Sequence, residues 1–92
     1  MQLTDLLQLC ADLQPAYKLL SPNHLPITKI KLGRQKCLLL TQTGKPLTVG
    51  KLLQLLTPSQ KLEIEVFIQV KNKQQTFYGL QVSLSEQAVI LR

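Results

Sequence analysis

The stretch 61–70 constrains the fold more than any other part of this chain. Leu62, Ile64, Val66, Ile68 and Val70 alternate with Lys61, Glu63, Glu65, Phe67 and Gln69, the period-two pattern of a strand with one buried face. Lys71, Asn72 and Lys73 make a short turn, after which Tyr78, Leu80, Val82 and Leu84 alternate with Phe77, Gly79, Gln81 and Ser83. The pattern predicts a hairpin. A further turn at 85–87 leads to 88–91, apolar at every position, as a strand covered on both faces would be.

Two leucine-rich segments carry helical spacing. Leu6, Leu9, Cys10 and Leu13 form one stripe, with Thr4 placed as N-cap and Pro15 as the stop. Val49, Leu52, Leu53 and Leu56 form the other, with Thr48 as N-cap and Leu47 and Leu52 as a hydrophobic staple. Between them, Ile30 and Leu32 alternate with Lys29 and Lys31, residues 33–35 turn, and 37–40 is again apolar on both sides. A weaker strand is expected at 16–20. Leu6-Leu7-Gln8-Leu9 recurs as Leu52-Leu53-Gln54-Leu55, and each half ends in a tight turn followed by an apolar strand. The expectation is an α+β fold of two related α-β-β-β modules, 1–42 and 47–92. Antiparallel meanders would pack with two short helices in one domain spanning 1–92. Residues 43–46 would link the halves, with Gly44 and Pro46 supplying the turn. The doubly apolar last strands require either that the halves pack together or that two chains associate.

A chain of 92 residues with 45% apolar content can bury one core. No apolar run approaches the roughly 18 residues a membrane-spanning helix needs, and the first residues carry Asp5 and Asp12 rather than a basic stretch before an apolar one. A cytoplasmic location and no membrane partner are expected. Cys10 and Cys37 stand among apolar neighbours without paired spacing, which points to buried free thiols. The net charge of +6 favours an anionic partner without choosing which.

The segment 47–91 resembles a class of small phage and prophage proteins. The features shared are its Leu-Thr-Val helix start, Leu52-Leu53, the strand around Ile64-Glu65-Val66, Tyr78-Gly79-Leu80 and the closing Ala88-Val89-Ile90-Leu91. The resemblance implies a mobile-element accessory protein of Gram-positive bacteria and implies no activity. The shorter first half departs from that pattern.

Chemistry-bearing residues are sparse. His24, the only histidine, lies in a loop with no acid beside it in sequence, so no oriented base for a nucleophile is expected. Glu63 and Glu65 share a strand face, but neighbouring Lys61, Lys71 and Lys73 make solvated ion pairing the simpler account. Gly44-Lys45 lacks the rest of a phosphate-binding loop. No catalytic residue, metal site, cofactor or small-molecule substrate is expected.

The candidate binding surface is Lys29, Lys31, Arg34, Lys36, Phe67, Lys71, Lys73 and Phe77. With Asn72 at the centre of the turn, Phe67 and Phe77 oppose each other on adjacent strands. Two aromatics flanked by lysines suit stacking on single-stranded nucleic acid; the plainer reading makes both phenylalanines core. The sequence therefore favours a non-enzymatic protein-interaction module, with a partner protein or self-association. A nucleic-acid binder of weak sequence preference is the alternative.

Overall fold

A computed structural model describes all of residues 1–92. The chain runs α1 (Leu3–Cys10), β1 (Lys18–Leu20), β2 (Ile27–Leu32), β3 (Lys36–Thr41), α2 (Val49–Leu56), a 3-10 turn (Thr57–Ser59), β4 (Glu65–Val70), β5 (Lys73–Gln75), β6 (Leu80–Ser83) and β7 (Ala88–Leu91). The class is α+β, in one compact domain. No helix is long and apolar enough to cross a membrane.

The strands form two sheets, ordered β2-β3-β4-β5 and β1-β7-β6. The β2–β3, β4–β5 and β6–β7 pairs are antiparallel, whereas β3–β4 and β1–β7 are parallel. Each sheet therefore joins strands from both halves. This corrects the expectation that the meanders are antiparallel throughout, since the halves meet in parallel pairs: the second half contributes two strands to each sheet. The doubly apolar strands β3 and β7 are the central partners in these sheets, and all of β7 is buried. On β3 the outward-facing Leu40 is only half-buried.

Hydrogen bonds at the two helix entries repeat across the halves. Leu3 N donates to Ile64 O at 3.0 Å, and Val49 N donates to Tyr17 O at 2.8 Å. Val66 N donates to Met1 O at 2.7 Å, and Leu19 N donates to Leu47 O at 2.8 Å. The start of α1 is thus laced to β4, and the start of α2 to β1. Leu3, Leu6 and Cys10 on α1 are fully buried, as are Val49 and Leu52 on α2, with Leu56 nearly so. These stripes pack with Cys37, Leu39, Val66 and Ile68 of one sheet and Leu19, Val89 and Leu91 of the other in one core.

The N-cap of α1 is Gln2, whose side chain makes no cap hydrogen bond. Thr4, expected there, lies inside the helix and donates from Oγ1 to Gln60 O at 3.1 Å. The helix ends at Cys10, before Pro15 is reached. For α2 the cap is as expected: Thr48 Oγ1 accepts from Lys51 N at 3.2 Å. Gly50 sits close to the preceding turn, where a Cβ would stand 3.1 Å from Pro15 Cβ.

A candidate binding face on the larger sheet

Pairing register fixes which side chains share a face, because directly paired residues point the same way. Lys31 pairs with Leu38, and Leu38 pairs with Phe67. In the next row on this face, Lys29 pairs with Leu40, Leu40 with Gln69, and Gln69 with Gln74. Lys36 pairs with Glu65 at the other end. The residues between them, Cys37, Leu39, Val66 and Ile68, point into the core and are fully buried. One outer face thus presents Leu38, Leu40 and Phe67 with three lysines around them.

Phe67 and Leu40 are half-buried, Leu38 retains 7% of its surface, and Lys29, Lys31 and Lys36 are exposed. Lys36 Nζ donates to Gln74 Oε1 at 3.1 Å, a bond that crosses β4 on the side where Phe67 sits. The Glu65 carboxylate lies 3.9 Å from the Met1 amine. Glu63 lies outside β4, so the two carboxylates do not share a strand face as the alternation predicted.

Of the other sequence-selected residues, Arg34 lies at the exposed β2–β3 turn, next to the Lys36 end. Lys71 and Lys73 lie at the β4–β5 turn, which the parallel β3–β4 pairing carries to the opposite end of the sheet. Phe77 leaves the face altogether. The β4–β5 pairing sets Ile68 against Gln75 and Val70 against Lys73, so Phe67 faces away from any partnership with Phe77. β5 ends at Gln75, and Phe77 is fully buried in the core. The opposed aromatic pair is therefore replaced by one aromatic beside leucines.

The outer face of the smaller sheet is built differently. Leu20, Ala88 and Ile90 form a small separate cluster there, at most 6% exposed. The loop 21–26 folds back beside it, bridging Leu20 to Pro26 and bringing His24 Nδ1 to 3.4 Å from Glu86 Oε1. Glu86 is the acid that sequence proximity could not supply, since it comes from the β6–β7 turn. After β4 the chain instead turns into the plane of the sheet as β5, and Phe67 is left half-buried with the Lys36–Gln74 bond crossing its side of the sheet.

Both cysteines are free and buried, and desolvation pushes each thiol up to about 11, which keeps them protonated near neutral pH. No group of three or more His, Cys, Asp or Glu side chains is arranged to hold a metal ion. The chain matches no protein family, curated protein or solved structure.

Proposed function

We propose that the protein is a non-enzymatic interaction module whose open sheet face docks an acidic, apolar segment of a partner protein. The observation that carries this reading is the row Lys31–Leu38–Phe67 beside the row Lys29–Leu40–Gln69. Apolar surface lies at the centre and ammonium groups lie at its border, the arrangement of a docking patch with an apolar middle and a polar rim. A segment alternating carboxylates with leucine or phenylalanine complements both parts: its apolar side chains cover Leu40 and Phe67, and its carboxylates meet the lysines. With Phe77 in the core, the face offers one ring and Leu40 above a buried Leu38, which suits aliphatic contact better than stacking of successive bases. The resemblance of 47–91 to phage and prophage proteins makes an accessory or regulatory factor of such an element the proposed setting.

The test is fluorescence anisotropy with a labelled peptide alternating Glu with Leu and Phe, its Lys-for-Glu counterpart, and a labelled oligothymidylate. The acidic peptide alone should bind, and Phe67→Ala or Lys29→Glu/Lys31→Glu should weaken it about tenfold or more while circular dichroism stays native. Tight, salt-steep binding of the oligonucleotide that the same variants abolish would replace this reading with nucleic-acid recognition. Binding of neither, or peptide binding indifferent to these substitutions, would remove the face as the docking site.

A further inference from the structure

The parallel pairing of β3 and β4 carries both carboxyl ends to one edge of the larger sheet. From there the two connections diverge: β3 leads to α2, while β4 turns back as β5. A cavity of about 520 Å³ lies here, between the 41–44 loop and the Val70-Lys71 pair.

Its lining carries hydrogen-bond donors and one ammonium group. The backbone N–H groups of Thr43, Gly44 and Lys45 donate to no group of the protein. Lys71 takes part in neither ion pair, and no carboxylate lines the cavity. Thr41 Oγ1 donates to Gln69 O at 3.0 Å, and Gln69 Nε2 donates to Lys71 O at 3.2 Å, while the Gln42 and Thr43 side chains also line the cavity. The second bond anchors the backbone of Lys71, which holds a left-handed φ of 56°. Behind the loop, the Thr28 Oγ1 is buried with no hydrogen-bond partner, and a Cβ on Gly44 would stand 3.8 Å from Thr28 Cγ2.

We propose that this cavity holds the anionic group, phosphate or carboxylate, of a small ligand, with the Thr43 and Gly44 amides and the Lys71 ammonium as donors. The site meets the Phe67 face at Gln69, but the two tests rest on different residues, so either assignment can fail without the other. Amide-resolved NMR titration at constant ionic strength, with inorganic phosphate in one arm and acetate in the other, tests it. Saturable shifts concentrated at 43, 44 and 71 are expected in at least one arm, and the arm that saturates identifies the group. Lys71→Asn removes the charge while tolerating the left-handed backbone, and should weaken binding about tenfold. Lys31→Ser, on the other face, should leave it unchanged. Shifts that never saturate in either arm, that spread evenly over Lys29, Lys31 and Lys36, or that persist undiminished in Lys71→Asn overturn the proposal.

Discussion

Phe67 and Phe77 are ten residues apart, share a chemistry, and do opposite things. Phe77 is fully enclosed, so Phe77→Ala leaves a ring-sized void and should cost about 3–5 kcal/mol. Phe67 is half-buried on the open face, and Phe67→Ala should change stability by about 1 kcal/mol or less while removing the apolar centre of the docking patch. Urea denaturation of both variants checks this; equal losses would mean that Phe67 is a core residue and the face is not free. The distinction was not legible from alternation alone, because both phenylalanines fall among polar residues in a period-two pattern. What separates them is register. The Val70–Lys73 pair centres the turn on Lys71-Asn72 rather than on Asn72. A shift of one residue in strand register reverses which face each side chain occupies. The left-handed backbone at Lys71 that accommodates this turn has no sequence signal, since lysine has no preference for it. At the β2–β3 turn the same limit holds: a three-residue turn at 33–35 would set Lys31 against Cys37, whereas Gly33 N donates to Lys36 O and Lys31 pairs with Leu38.

The two helices show how far a local pattern carries an element and where it stops. Their buried stripes match position for position, Leu3 with Val49, Leu6 with Leu52 and Cys10 with Leu56, each burying the same helical face. That spacing was readable in part: Leu6 and Cys10 lie on the buried stripe, but Leu9, read with them, is exposed, and Leu3, left off it, is fully buried. The start of α1 was not readable, because a Leu-Thr pair near each helix suggested equivalent caps, whereas the residues that enter the helices alike are Met1-Gln2 and Leu47-Thr48. Only Thr48 supplies a side-chain acceptor, to Lys51 N. Thr48→Ala should therefore cost about 1 kcal/mol, while Gln2→Ser, which provides the missing acceptor, should gain about 0.5–1 kcal/mol. Thermal denaturation of the two variants reads both signs. A loss in Gln2→Ser would show that the extended lacing of Met1 to Val66 leaves no room for a cap.

At the scale of the molecule, the decisive feature is that neither half owns a sheet. The first half holds β1 of one sheet and the β2–β3 hairpin of the other; the second half holds the complementary pairs. Sequence could propose two related modules, because similarity between segments is local. It could not show that β3 seeks β4 and β1 seeks β7, because parallel pairing leaves no turn between partners to betray it. The consequence is testable by cutting the chain. A fragment of residues 1–46 keeps one hairpin, one short helix and a lone strand, and an isolated two-stranded hairpin is marginal in water. Residues 47–92 fare no better, having lost β1 and β3 from beside β7 and β4. Each fragment should therefore give the far-ultraviolet circular dichroism of an unfolded chain. An equimolar mixture should recover the native spectrum with a midpoint that rises with concentration, since the connection at 43–46 no longer supplies a high effective concentration of one half to the other. Were either fragment to fold alone, the parallel pairs would be secondary contacts between self-sufficient modules. Were the mixture to stay unfolded at high concentration, the connection itself, with its left-handed Gly44, would be required to bring β3 and β4 into register.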